Sequence, residues 1–236
     1  MMDSNARDEG RRASSWLRLR YGLLLLAVAL ASAPEARAEA KAVRVFLPTP
    51  DTIGSMSVEE ALATRRSRRR VAKEALSDAT IGQLLWAAQG ITAPAKGFRT
   101  APSAGARYPL RVYLLVPSGL FAYEPRGHSL LELNQKDLRV PFWKAVYGRA
   151  VLVHAPAMIL IAADYTRTSQ KYGTKAIRFV HMEAGHAAQN LLLQATALGL
   201  HGVGVGAFDA VRTRRAIDLP IKQELLYVLV VGKPKD

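Results

Sequence analysis

Apolar side chains recur at every third or fourth position in four stretches of the chain, which is the period of a helix with one buried face. Capping-box spacing between Ser57 and Glu60 marks the start of the first stretch. Ser77 or Asp78 caps the second stretch, which ends at Gly90. The predicted helices therefore cover residues 57–66, 78–89, 135–148 and 174–198.

Shorter apolar runs between these stretches predict strands. Residues 110–116 have the composition of a central strand, and residues 120–123 and 129–133 predict a hairpin around a Pro-Arg-Gly-His turn. Further predicted strands cover 157–162, 202–207 and 226–231. Strands interspersed with helices predict an α+β fold in which helices pack on a mixed sheet.

The first forty residues have the pattern of an export signal. Arginines precede an apolar run at 21–33, and Ala36-Arg37-Ala38 has the form of a cleavage site. The run is shorter than the roughly 20 residues of a membrane-spanning helix. We expect a signal peptide at 1–38, an N-terminal arm at 39–56 and one domain at 57–236.

The expected location is the periplasm after export, or the cytoplasm if the signal is not used. Arg11 and Arg12 leave the twin-arginine route open beside the general secretory route. Contact with a membrane is expected only through an uncleaved signal.

Composition narrows the possible chemistry. The 236 residues carry a net charge of +14, which favours acidic partners such as nucleotides, nucleic acid or anionic membranes, and which also suits a plain basic surface. The chain has no cysteine, so disulfides, thiolate metal sites and cysteine nucleophiles are excluded.

The densest charge lies in the run Arg65-Arg66-Ser67-Arg68-Arg69-Arg70, which is predicted to sit near the end of the first helix, where guanidinium groups suit the helix dipole. By charge alone the run is typical of a nucleic-acid patch. Guanidinium groups and a hydroxyl at alternate positions also suit one phosphate monoester, because an arginine fork binds phosphate oxygens in pairs.

Two segments of small residues would let a flat ligand approach the backbone. One is the loop Pro102-Ser103-Ala104-Gly105-Ala106, although a turn packed on itself would have the same composition. The other, residues 202–207, lacks the third glycine and the strand–turn–helix order of a dinucleotide fingerprint, so a Rossmann site is not expected.

Polar residues in and before the long helix offer further candidates. Glu183 and His186 share a face but have no second ligand cluster, so hydrogen-bonding roles are favoured over a metal site. Lys171 and Tyr172 stand just before the helix, where an amine beside a phenol could move protons, or could simply be a surface pair.

The order of these motifs resembles the nitroreductase-like flavoprotein family, and most closely its branch of streptolysin-S-type (SagB-type) azoline dehydrogenases. The resemblance covers residues 57 to 234. It is carried by Arg65-Arg66-Ser67-Arg68-Arg69, Leu84-Leu85-Trp86-Ala87-Ala88-Gln89-Gly90, Arg99-Thr100-Ala101-Pro102-Ser103-Ala104-Gly105-Ala106, Tyr108-Pro109-Leu110, Glu183-Ala184-Gly185-His186, Leu198-Gly199-Leu200 and Val231-Gly232-Lys233-Pro234.

The resemblance implies a homodimer with FMN at the subunit interface and the long helix in that interface. The FMN phosphate and ribityl chain would be held by Arg65, Ser67 and Arg69, with a contribution from Lys233. The isoalloxazine ring would lie between Pro102–Ala106 on one side and, on the other, Gly204, Val205, Gly206 and Ala207. In the azoline branch a Lys-Tyr pair is associated with proton abstraction, which implies that role for Lys171 and Tyr172.

The predicted function is an FMN-dependent oxidoreductase that transfers hydride between flavin and a small organic donor or acceptor: NAD(P)H, a nitro compound, a quinone or a peptide azoline. Many classical nitroreductases have an asparagine where this chain has Ala106 and an acidic residue near the position of Gly206, so the resemblance does not assign nitroaromatic reduction. The alternatives are a flavin-binding protein without turnover and a basic nucleic-acid-binding protein. With FMN as the acidic ligand, no nucleic-acid partner is expected.

Overall fold

The structure is a computed structural model that describes residues 43–146 and 153–235. The predicted signal peptide at 1–38 and the end of the predicted 135–148 helix lie outside the described residues. The helices of the described part are α1 (Val58–Thr64), α2 (Asp78–Gln89), α3 (Arg139–Ala145), α4 (Thr166–Tyr172), α5 (Ala176–Ala197) and α6 (Ala210–Ala216).

The strands of the described part are β1 (Arg44–Phe46), β2 (Ile91–Ala93), β3 (Phe98–Arg99), β4 (Leu110–Val116), β5 (Gly119–Glu124), β6 (Ser129–Asn134), β7 (Ala157–Ala163), β8 (His201–Val205) and β9 (Glu224–Gly232). Seven of them form one sheet in the order β1-β6-β5-β4-β7-β9-β8, while β2 and β3 form a separate hairpin. Neighbouring strands of the sheet all pair antiparallel, so the sheet is antiparallel rather than the mixed sheet that the sequence predicted. An isolated parallel bridge joins Ser67 to Gly202 of the edge strand β8. The predicted α+β fold, with helices on a central sheet, is confirmed.

The central strand β7 is covered on both faces. All seven of its residues are buried, and they alternate between two apolar clusters, as the two-residue period of a strand requires. Ile159 and Ile161 pack towards α2 and α5, whereas Met158 and Leu160 pack towards Phe142 of α3 and the chain after α6. Burial on both faces explains why the sequence of β7 is a continuous apolar run.

The predicted helix caps are present. Ser57 Oγ accepts a hydrogen bond from Glu60 N at 3.1 Å, and Ser77 Oγ accepts one from Thr80 N at 3.2 Å. Because α1 ends at Thr64, the arginine run after it is extended chain rather than the last turn of a helix. Gly90 has an ordinary φ of −64°, and a glycine is needed there because the Trp86 side chain occupies the space of a Cβ.

Four elements have no counterpart in the sequence pattern: β1, the β2–β3 hairpin, α4 and α6. The helix α4 buries only Thr168 and α6 buries only Thr213, so neither helix shows an apolar period. The strand β1 lies within the predicted arm and pairs with β6 at the sheet edge. Among the described residues, no helix is both long enough and apolar enough to span a membrane.

The tip of the β5–β6 hairpin is anchored on α2 through His128. This residue has a φ of 42°, and its Nδ1 lies 2.9 Å from Tyr123 Oη. A Cβ added at Gly82 of α2 would lie 3.1 Å from His128 Nε2, so the helix is close against the ring. Burial lowers the pKa of His128 because the charged imidazolium would lose hydration there.

This burial predicts acid sensitivity. The unfolded chain binds the His128 proton at a higher pH than the folded protein, so stability from this residue is present above about pH 6.5 and falls as the pH drops below it. When the pH is lowered from about 7 to about 5, the free energy of unfolding measured in urea should fall more for the wild type than for His128→Asn. Equal losses in the two proteins would contradict this account of the hairpin tip.

Candidate functional site

The sheet register gathers three chain segments at one end of the sheet. Leu110 at the start of β4 pairs with Ala163 at the end of β7, and Ala163 pairs with Glu224 at the start of β9. The loop before β4 and the segment after β7 therefore leave the sheet side by side. The edge strand β8 runs towards the same end, because Val205 pairs with Val228 of β9.

The loop before β4, residues 102–108, has an unusual backbone. Gly105, Ala106 and Tyr108 have φ values of 60°, 53° and 48°, a region that costs residues with a side chain of order 1 kcal/mol or more each. Hydrogen bonds hold the loop in this shape: Ser103 Oγ accepts from Tyr108 N at 2.8 Å, and Tyr108 Oη accepts from Arg99 N at 3.3 Å. The Arg99 guanidinium also lies 4.6 Å from the centre of the Tyr108 ring.

Lys171 and Tyr172, at the end of α4, contact this loop directly. A Cβ built on Gly105 would lie 2.6 Å from Tyr172 Oη and 3.0 Å from Lys171 Nζ, so these two polar atoms occupy the space that a side chain would need. Tyr172 is held from the other side by the edge-to-face ring of Phe179, with centroids 5.1 Å apart. The structure thus brings the predicted Lys-Tyr pair to the predicted ring loop.

A buried polar cluster supports the loop from below. Glu183 of α5 is only 2% exposed, and Gln89 at the end of α2 is fully buried. Arg99 Nη1 donates to Gln89 Oε1 at 2.7 Å, while Glu183 Oε1 and Gln89 Nε2 are among the buried atoms that have no hydrogen-bond partner. Burial raises the pKa of Glu183 to about 7, against the opposing influence of Ser103, Arg99 and Gln89.

This cluster was only partly visible in the sequence. The pattern gave Glu183 a hydrogen-bonding role but did not place it beneath the loop. Arg99 and Gln89 stood in the motifs that carried the resemblance, but no role was assigned to them. No group of three or more acidic or histidine residues in the described part of the chain could hold a metal ion.

The arginine run lies along the free edge of β8. Ser67 bridges to Gly202, and Arg68 N donates to the Gly202 carbonyl at 3.0 Å. Arg66 Nη1 donates to the carbonyls of Ala63 and Arg65, so its side chain is committed to the end of α1. Within the described residues, the guanidinium groups of Arg65 and Arg69 have no carboxylate or hydrogen-bond partner.

The glycine-rich segment 204–207 continues β8 away from Ser67. A Cβ at Gly204 would lie 2.7 Å from Tyr227 Oη, so this glycine accommodates a neighbouring side chain. A Cβ at Gly206 would have no heavy atom within 4 Å, and Gly206 and Ala207 are exposed. Gly206 lies four positions after Gly202, just past the end of β8, which in extended chain is a separation of about 13 Å.

Lys233 lies beside the arginine run through its backbone, because its carbonyl accepts from Ala72 N at 2.9 Å. Its ammonium donates to Glu74 Oε1 at 2.6 Å, in an exposed ion pair. The backbone of Lys233 thus lies next to the arginine run, while its charged end is bound to a neighbouring carboxylate.

The raised pKa of Glu183 predicts a stability that falls as the pH rises. Between about pH 4.5 and about pH 7 the folded protein holds the Glu183 proton and the unfolded chain does not, so each unit of pH costs stability. Between about pH 4 and about pH 8, the free energy of unfolding of Glu183→Gln should rise by roughly 3 kcal/mol relative to that of the wild type. Parallel pH profiles of the two proteins in urea unfolding would show that Glu183 is ionised in the fold.

Known proteins are similar to this chain in sequence and in fold. A protein of Methanocaldococcus jannaschii named as a nitroreductase is 38% identical over 190 residues, which cover 78% of this chain and 94% of that protein. The crystal structure of a protein from Ralstonia eutropha JMP134, also named as a nitroreductase, superposes with a TM-score of 0.74 at 28% identity, over 82% of this chain and 90% of that one.

Two more distant solved structures share the fold. One, a nitroreductase-named protein of Desulfovibrio desulfuricans in complex with FMN, has a TM-score of 0.59 at 23% identity and covers 77% of this chain and 88% of its own. The other is the Escherichia coli microcin synthetase McbBCD complex with truncated pro-MccB17 bound, with a TM-score of 0.64 at 22% identity over 84% of this chain and 80% of that one.

The sequence profile described as the nitroreductase family matches residues 62–233, well over half of the chain. That span includes the arginine run, the strained loop, the Lys-Tyr pair and the end of β9. Members of the family are typically flavin-dependent oxidoreductases. The chain belongs to the nitroreductase family.

Proposed function

We propose that this chain binds FMN and transfers hydride between the flavin and a small organic donor or acceptor, in the manner of the azoline dehydrogenase branch. The observation that carries the proposal is the contact of Gly105 with Lys171 and Tyr172 at the end of the sheet. A loop of small residues and a pair of proton-moving groups meet there, on an exposed surface that a flat ring could cover.

The arginine run fits the phosphate of FMN. Arg65 and Arg69 have unpaired guanidinium groups in the described structure, and the exposed Ser67 between them offers a hydroxyl. Charge-assisted hydrogen bonds from two arginines would hold a phosphate strongly. Lys233 could join them only by leaving Glu74, so we assign it a minor share.

The residues for the ring lie at the end of the sheet towards which β8 runs. The loop 102–106 would line one side of the isoalloxazine, and the segment 204–207 would approach the other, with the open space at Gly206 available to the ring. The separation of about 13 Å between Gly202 and Gly206 leaves room for the ribityl chain. When bound, FMN supplies the hydride chemistry, and the protein supplies orientation and electrostatics.

Lys171 and Tyr172 would hold and move the proton that accompanies hydride transfer. Both polar atoms stand against Gly105, and the Phe179 ring fixes the Tyr172 ring from behind. A general acid or base must lie within hydrogen-bond reach of the substrate proton, and the position of the pair beside the loop proposed to line the ring supports this role.

We also propose that the protein works as a homodimer. Exposed apolar side chains, which include Ile53, Val58 and Leu198, line a groove of about 760 Å³ between the segment before α1 and the end of α5. Polar side chains such as Asp51 and Gln194 line the same groove, and this mixture of exposed apolar and polar side chains suits a subunit interface. Export to the periplasm by the signal at 1–38 completes the proposal.

Stopped-flow spectroscopy tests the reaction class. The full-length protein loaded with FMN is mixed anaerobically with NADH, NADPH or a thiazoline peptide, and then with menadione or a nitroarene. At least one donor should bleach the flavin within seconds, and one acceptor should restore it. A flavin that no donor reduces would identify a binding protein without turnover.

The arginine run gives a paired test of FMN binding. Arg65→Ala with Arg69→Ala should raise the Kd for FMN by at least about tenfold, since each charged hydrogen bond contributes about 1.5–3 kcal/mol. Arg68→Ala with Arg70→Ala removes the same charge from the same segment and should leave the Kd within about twofold. Equal losses from the two pairs would make the run a generic basic patch.

The Lys-Tyr pair gives a test of proton transfer. Lys171→Gln and Tyr172→Phe should each lower kcat for thiazoline oxidation by about 10²-fold or more while FMN content stays at the wild-type level, because general acid–base catalysis typically contributes that much. Lys175→Gln, an exposed lysine four residues further on, is the control. Unchanged kcat in both variants would remove the pair from the mechanism.

A further inference from the structure

The helix that carries Lys171 and Tyr172 has little to hold it in place. α4 has seven residues and buries only Thr168. Isolated helices of this length are unstable in water, so α4 depends on tertiary contacts for its position. A proton-moving pair at its last turn can stay on the ring loop only if those contacts fix the helix.

The start and end of α4 are tethered by a few contacts. At the start, Asp164 Oδ1 accepts from Thr166 N at 3.0 Å and from Thr166 Oγ1. Asp164 N donates to the Pro109 carbonyl at 3.1 Å, and Tyr165 Oη lies 2.8 Å from His181 Nε2. At the end, Tyr172 packs on Phe179 of α5. Of these contacts, the Asp164 bond to Pro109 reaches the chain just before β4, but none joins the middle of the helix to the loop 102–108.

Arg107 makes that connection. Its Nε donates to the Arg167 carbonyl at 2.7 Å, and its Nη2 donates to Gln170 Oε1 at 2.9 Å. Arg107 stands two residues after Gly105, and its own backbone N donates to the Ala104 carbonyl at 3.3 Å, so the side chain leaves from the strained part of the loop. Two donors of one planar fork thus reach the middle of α4.

We infer that Arg107 is a positioning residue, which ties the loop 102–108 to α4 and so holds Lys171 and Tyr172 against Gly105. The loop that would carry the flavin ring and the helix that would carry the proton pair then move as one unit. The sequence motifs assign no role to Arg107. Within the described residues, its side chain forms no hydrogen bond or ion pair with the proposed phosphate residues or with the segment 204–207. The consequence for catalysis rests on the proposed function, whereas the mechanical role does not.

The geometry also explains why an arginine is needed. The guanidinium presents Nε and Nη2 in a fixed plane and can satisfy a carbonyl and an amide oxygen together, whereas a lysine ammonium has one flexible point of contact. Arg107→Lys keeps the charge and can keep one of the two bonds. Partial rescue is therefore the expected behaviour of this substitution.

Hydrogen exchange read by mass spectrometry on the full-length protein with FMN added tests the inference. Arg107→Ala should speed exchange of the amides in 167–172 by about tenfold, as expected for the loss of two hydrogen bonds, and leave β4 and β7 unchanged. Arg107→Lys should fall between Arg107→Ala and the wild type. Arg111→Ala is the control: it removes an exposed arginine of β4 that pairs with Glu124 of β5, and it should leave exchange in α4 unchanged.

Gln170, which accepts one of the two Arg107 hydrogen bonds, provides a second test. Gln170→Ala should speed exchange in α4 by less than Arg107→Ala, and the double variant should be no faster than Arg107→Ala alone, because the two residues share one contact. With the thiazoline peptide as probe, Arg107→Ala should lower kcat at least tenfold at unchanged FMN content, and Arg107→Lys should recover part of it.

Exchange in α4 that is unchanged by Arg107→Ala would overturn the inference, and so would faster exchange throughout the protein, which indicates a general loss of stability. A wild-type protein that takes up no FMN would count against the proposed function instead. Because exchange in α4 is measurable without flavin, it would still decide the role of Arg107.

Discussion

The antiparallel register of β4, β7 and β9 is the constraint on which the site depends. It fixes Leu110, Ala163 and Glu224 in one row, so the loop before β4 and the helix after β7 emerge together. They meet at Gly105, where a single Cβ would displace both Tyr172 Oη and Lys171 Nζ. A slip of one residue between β4 and β7 would turn every side chain to the opposite face and separate the loop from the pair.

The strain in the loop is offset by a buried polar cluster rather than by apolar packing. Ser103 and Arg99 hold Tyr108 at a positive φ, and Arg99 in turn bonds Gln89. Glu183 sits within this cluster with a carboxyl group that burial keeps mostly protonated below neutral pH. A proton on Glu183 avoids the cost of a buried charge and leaves a donor for the surrounding oxygens.

Local features of the sequence predicted local structure well. The caps Ser57 and Ser77, the strand 110–116 and the hairpin near His128 depend on residues close in the chain, and each is present. The helix α4 has no apolar period, so the sequence pattern did not predict it. Lys171 and Gly105 are more than sixty residues apart, and their contact depends on strand pairing, which the periodicity of the sequence does not predict. Only the resemblance to flavoproteins suggested that the two segments belong to one site.

The visible spectrum of the purified full-length protein tests the central claim most directly. The account predicts a yellow protein whose bound chromophore, released by heat and separated by chromatography, is FMN in a ratio approaching one per chain. A colourless protein that takes up no added FMN would contradict the assignment of the arginine run, the strained loop and the glycine segment to one flavin site.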